Sequence, residues 1–174
     1  MGPPNLPPEL TEDVNGYDVL AVLPSLSYGR LRTRTKETLR EIQRRLSPHR
    51  STLEELRRDE SAFGAFLDAF EWAWWIARST DSPTLRDAAY TALVHSLPGC
   101  ELDAPTRSSM FSALAGFDER HFALLSALKA GANAIPNDVA GIMRQVHREL
   151  VRAGFVDDCF VTPLGYRFWR FVTA

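Results

Sequence analysis

Residues 149–174 read ELVRAGFVDDCFVTPLGYRFWRFVTA, and this stretch decides what the chain can build. A helix stops at Ala153-Gly154, where glycine supplies the left-handed turn that most residues resist. "FVDDCFVT" then offers two very short strands around Asp157-Asp158, and a Thr-Pro-Leu-Gly step launches a closing helix that carries Phe168, Trp169, Phe171 and Val172. Helix, minimal hairpin and helix are therefore expected in that order.

Working outward, the preceding segment IPNDVAGIMRQVHRELVRAG predicts a helix opened by Pro136-Asn137-Asp138 and closed by Gly154. Its helical period turns Val139, Ile142, Met143, Val146, Leu150 and Val151 inward and leaves Arg144, Gln145, His147, Arg148 and Arg152 outside. Arg144, Arg148 and Arg152 stand at successive four-residue steps and form one basic ridge, the type of surface that a recognition helix offers to phosphates and base edges. The end of the chain resembles the ending common in bacterial winged-helix proteins, through Ala153-Gly154-Phe155-Val156 and Thr162-Pro163-Leu164-Gly165. That resemblance implies a fold element and names no ligand. Two features run against DNA. Only nine residues, KAGANAIPN, separate Leu128 from Asp138, which leaves little room for the second helix of a helix-turn-helix, and the hairpin carries two aspartates, which repel phosphate.

Upstream, the pattern is helical throughout. From Leu31, Leu39, Ile42 and Leu46 make one apolar stripe, while Arg32, Lys36, Arg40 and Arg44 lie elsewhere around the cylinder. Glu37 and Glu41 sit within helical reach of Arg40, Arg44 and Arg45. Ser47-Pro48 interrupts this helix, and Ser51 with Glu54 reads as a capping box for the next. In SAFGAFLDAFEWAWWIARST, Phe63, Phe66, Leu67, Phe70, Trp74 and Ala77 recur at three and four residues, and Trp72, Trp75 and Ile76 widen the apolar face. Such a helix belongs at the centre of a bundle, and core packing is preferred to an aromatic ligand box. Ser82-Pro83 opens another helix, with Leu85, Ala89, Ala92, Leu93 and Leu97 inward. TRSSMFSALAGF follows after a loop, and Asp118 caps ERHFALLSALKAG, which stops at Gly131.

The expected fold is mostly α, a helical bundle of six to eight helices with a minimal C-terminal β-hairpin in a degenerate winged-helix-like unit. Residues 1–16, with four prolines, read as a flexible lead; 17–131 as the bundle; 132–174 as the C-terminal unit packed on it. No run approaches the ~18 apolar residues that would cross a bilayer, and the first residues show no signal-peptide pattern, so a cytoplasmic location is expected. Cys100 and Cys159 read as free thiols.

Charge is uneven. The net charge of -2 conceals a block, residues 30–50, with eight basic and two acidic residues. Such a block serves nucleic acid, anionic lipid or an acidic protein face, or is simply a solvated helix face. His49, His95, His121 and His147 lie on separate segments without metal-ligand spacing, and no phosphate-cradling loop or nucleophile signature occurs, so no catalytic residue, metal or cofactor is expected.

The order of elements from about residue 20 onward, through LPSL, ARSTDSPTLRDAAYTALVHSL, LAGFDERHFALLSAL and LVRAGFV with VTPLG, resembles a group of bacterial helical proteins that includes the Abi-alpha-like, abortive-infection-associated set. The resemblance implies no active-site residue. The expected function is a non-enzymatic protein-interaction or oligomerising module, with a protein partner or a second copy, in phage defence or stress response. The alternative is a DNA-binding regulator that uses Arg144, Gln145, Arg148 and Arg152, with Arg32, Lys36, Arg40 and Arg44 adding phosphate contacts. An anionic membrane surface, met by Tyr17 to Tyr28 and the adjacent basic helix, ranks third.

Overall fold

The computed structural model describes residues 31–99, 102–131 and 140–173. Residues 1–16, expected as a flexible lead, the Tyr17 to Tyr28 stretch, Cys100, and Pro136-Asn137-Asp138, expected to open a helix, lie outside the described residues. Within them the chain is mostly helical, with one two-stranded hairpin near its carboxyl end. The helices are α1 (Leu31–Leu46), α2 (Arg50–Leu56), α3 (Glu60–Ser79), α4 (Pro83–Val94), α5 (Ala104–Gly116), α6 (Glu119–Lys129), α7 (Ala140–Arg152) and α8 (Pro163–Val172). Strands β1 (Val156–Asp157) and β2 (Phe160–Val161) pair antiparallel between α7 and α8, with Val156 opposite Val161 and Asp157 opposite Phe160.

The aromatic-rich helix α3 is the hub, packed on α1, α2, α4 and α5. Phe66, Phe70, Ala73, Ile76 and Ala77 are buried there, and the α1 stripe of Leu39, Ile42 and Leu46 is buried too. Trp75 departs from this: it is exposed and meets Trp72 edge-on. Helix starts follow local chemistry. The side chains of Asp59, Ser82, Asp103, Asp118 and Thr162 each accept a first-turn backbone N–H, satisfying donors that have no intrahelical partner.

The Ser51–Glu54 capping box does not form. A 3-10 turn, Ser47–His49, runs straight into α2, so Ser51 already lies inside the helix, and Glu54 instead pairs with Arg50 at 3.4 Å. The inward stripe of α7 is also narrower than expected. Val146 and Leu150 are buried, whereas Val151, five residues and so about 140° beyond Val146, is exposed, as is Ile142 in the first turn.

The carboxyl end is held by a few specific contacts. Gly154 has φ +75°, its N–H reaches Val151 O at 2.9 Å, and the Phe155 N–H reaches Leu150 O at 3.0 Å, which closes α7. Thr162 then joins α7 to α8. Its hydroxyl donates to Gly154 O (2.6 Å) and accepts the Gly165 N–H (3.0 Å), while its own N–H donates to Phe155 O (3.0 Å). A Cβ at Gly165 would lie 2.1 Å from that same Phe155 oxygen, so the Thr-Pro-Leu-Gly step needs glycine for close approach, not for an unusual φ.

Phe155 stacks on Phe168 (centroids 4.3 Å apart), and Phe117 meets both edge-on. Phe111 meets Phe171 likewise, so the buried cluster continues from the bundle into the C-terminal unit.

Candidate functional site

The exposed residues of the C-terminal unit are positioned by how α7 is anchored. Helix α7 packs on α6 and β1. At that contact His121, buried in the first turn of α6, lies between two carboxylates. Its Nε2 is 2.7 Å from Glu149 Oε2 on α7, and its Nδ1 accepts the Asp118 N–H at 3.0 Å while Asp118 Oδ1 stands 2.9 Å away. Phe117 stacks on the ring at 4.3 Å. Both ring nitrogens are thus occupied by the chain's own groups, which makes His121 a clasp between α6 and α7; general-base work needs a ring nitrogen open to a substrate.

The Arg120 guanidinium pairs with Asp118 and, with His121, holds that carboxyl down at about 2. Gln145 donates to Glu149 at 3.0 Å, and this hydrogen bond, followed by that of His121, lowers the Glu149 carboxyl.

Above this clasp, α7 presents Arg144, Gln145, Arg148 and Arg152, all exposed. The structure brings these four together on one helix, as the spacing predicted. Arg148 Nε donates to Arg144 O at 3.3 Å, and Gln145 is engaged with Glu149. Helix α6 itself stands immediately before α7 and packs against it, so the short interval after Leu128 does not leave α7 without a companion helix. The hairpin beyond is acidic. Asp158 turns it at φ 51°, a conformation that Asp tolerates, and its carbonyl accepts from His147 Nε2 at 2.5 Å.

The second basic set is arranged differently. Arg32 lies in the first turn of α1, and Lys36, Arg40 and Arg44 follow. Arg44 grips Glu41 through two nitrogens, at 2.7 and 2.5 Å, and Arg45 bridges Glu41 (2.8 Å) and Asp87 of α4. The Arg44 hydrogen bond, joined by Arg45, lowers the Glu41 carboxyl to about 2. Helix α1 packs on α3 and α4, so the two basic helices have different neighbours and the structure does not merge them into one surface.

The hairpin and its flanks expose large apolar groups. Phe160 of β2 is 71% exposed, and Val151, Leu164 and Tyr166 are exposed beside it in sequence. By sequence alone Phe160 reads only as a strand residue. The signal was available: in a two-residue strand Phe160 shares the face of Asp157, opposite to that of Val156 and Val161.

No group of His, Cys, Asp and Glu among the described residues is arranged to hold a metal ion, and no helix there is long and apolar enough to cross a membrane. No family model, curated protein or solved structure matches the chain.

Proposed function

We propose that this protein is a non-enzymatic interaction module that docks onto a partner protein, or onto a second copy of itself, through the hairpin and the first turn of α8. One observation carries the reading: Phe160, 71% exposed, is accompanied by exposed Val151, Leu164 and Tyr166 on a single short unit. Burying a Phe or Leu side chain is worth about 1.5–3 kcal/mol, which this unit gains only when something covers it. Aromatic side chains are also those that recur at the centres of protein interfaces. The likeness of element order to the abortive-infection-associated group supports a role in bacterial phage defence or stress response, in the cytoplasm.

Sedimentation over a wide concentration range, together with affinity capture, tests this reading by comparing the parent with a Phe160→Ser/Leu164→Ser variant. Self-association, or a captured partner, that disappears in the variant is the expected result. A parent that is strictly monomeric, with a capture profile identical to the variant's, overturns it.

The α7 ridge supports a second reading, a DNA-binding regulator, because Arg144, Arg148 and Arg152 are all exposed at successive turns. Fluorescence anisotropy with duplex DNA should then show affinity that falls steeply with salt, and Arg144→Ala/Arg148→Ala should reduce the log-log slope by about two. Equal binding by parent and variant at low salt rejects it.

A further inference from the structure

The docking unit carries two exposed apolar anchors, Phe160 and Val151, and each has a charged neighbour of a different sign. Phe160 and Asp157 are cross-strand partners in the hairpin, so both side chains leave the same face of it. On α7, Arg148 precedes Val151 by three residues, the spacing that makes neighbours on a helix surface, and Arg152 follows in the same exposed stretch. One anchor therefore has an acidic edge and the other a basic one.

These opposite charges lie within one short unit, yet they do not satisfy each other. Asp157 and Asp158 make no ion pair among the described residues, and Arg148 directs its Nε to Arg144 O at 3.3 Å. Like charges are crowded instead: two adjacent aspartates at the turn, and arginines at four-residue steps along α7, a spacing at which they repel. The unit is also pre-set. The His147 ring meets Asp158 O at 2.5 Å and the Thr162 hydroxyl links Gly154 to Gly165, so the offset between the two anchors is fixed before anything binds.

A partner of a single charge sign suits only half of this surface. A nucleic acid or an acidic protein repels the aspartates, and a basic protein repels the arginines. A second copy turned about a two-fold axis supplies the missing sign at both edges, because in such a contact residue i meets j while j meets i.

We infer that the occupant of this unit is a second copy of the chain, in an isologous dimer where Phe160 packs on the partner's Val151 and Asp157 faces the partner's Arg148, twice over. The inference rests on the reading of the hairpin and its flanks as a docking unit, and it names what docks there. Both charged edges are open to solvent, so salt weakens the dimer while the apolar anchors persist. With so few anchors the association is reversible, with a Kd of about 10–100 μM at low salt.

The test is sedimentation equilibrium of the full chain at low and high salt, with two charge variants. Asp157→Lys/Asp158→Asn makes the hairpin basic and keeps a residue that tolerates the left-handed turn, while Arg148→Glu/Arg152→Glu makes the α7 edge acidic. Each alone should dimerise about tenfold or more weakly than the parent, and an equimolar mixture, in which both edges are again opposite in sign, should return to within about threefold of it. Isotope-filtered NMR of a mixed-label parent dimer gives a readout that needs no variant: NOEs should connect the Phe160 ring of one copy to the Val151 methyls of the other. A mixture no tighter than its components, or a parent dimer whose intermolecular NOEs exclude this pair, overturns the inference. So does a parent still monomeric at about 1 mM; a captured protein that is lost with Phe160→Ser/Leu164→Ser would then leave the docking reading standing, and its absence would overturn both.

Discussion

Two seams of this molecule are packed on different principles. Helices α3 and α4 pack extensively on each other, with buried alanines on both, Ala69, Ala73 and Ala77 on the first and Ala88, Ala89 and Ala92 on the second. The C-terminal seam is built from few but large rings, Phe117, Phe155 and Phe168, plus one glycine that admits a neighbouring backbone. Small residues distribute stability over many shallow contacts, while large rings concentrate it in single side chains. The two regions should therefore fail in opposite ways, the first by overfilling and the second by emptying.

The largest expected effect is at the aromatic seam. Phe168→Ala should cost about 3–5 kcal/mol, read as a fall in the urea midpoint, because the ring is almost fully buried and its neighbours cannot close the void. Gly165→Ala follows at about 3 kcal/mol, since the new methyl must displace the Phe155 carbonyl; an unchanged melting temperature would contradict the close approach.

Across the other seam, Ala89→Leu should cost about 2 kcal/mol by overpacking, whereas Ala89→Gly should cost less, the reverse of the size order at Phe168. His121→Leu keeps the bulk and removes the polar clasp. It should cost about 1–2 kcal/mol and raise hydrogen exchange in α7 before it does so in α3.

The smallest effect is acid sensitivity. Glu41 and Asp118 fall from 4.5 and 3.8 to about 2 on folding, so their ionised forms favour the folded state. That contribution is complete above the unfolded values and is lost as pH drops through about 4 towards about 2. Both pairs are open to solvent, so the shift should be modest. Glu41→Gln should flatten the part belonging to α1, and Asp118→Asn the part belonging to the α6–α7 contact, in urea midpoints measured between the two limits.

Much of the architecture was legible because it depends on local periodicity and punctuation. The Leu39, Ile42 and Leu46 stripe, the Ser82-Pro83 start, the Gly154 stop and the hairpin around Asp157-Asp158 each show within one short window of sequence. Ser51 misled because a preceding 3-10 turn had already begun the helix, which no capping pattern reports.

The sites were less legible. His121 and Glu149 are 28 residues apart in sequence, so spacing rules for histidine return nothing. The four basic residues of α7 were readable as a set since one helix carries them all, but the sequence did not show that Glu149 engages Gln145 and His121.

The docking of α8 on α4 has a consequence for the order in which the chain matures. His95 waits for the carbonyl of Phe171, 76 residues later, and Phe111 for the ring of that same residue. During synthesis the helices up to α6 emerge with the surface of α4 and α5 that receives α8 still open, and only translation through Phe171 can close it. Contacts so distant in sequence form late and slowly. A nascent chain paused before Pro163 would therefore display Phe111 without Phe171 and Phe117 without Phe168, the window in which chaperone capture or aggregation has most surface to act on.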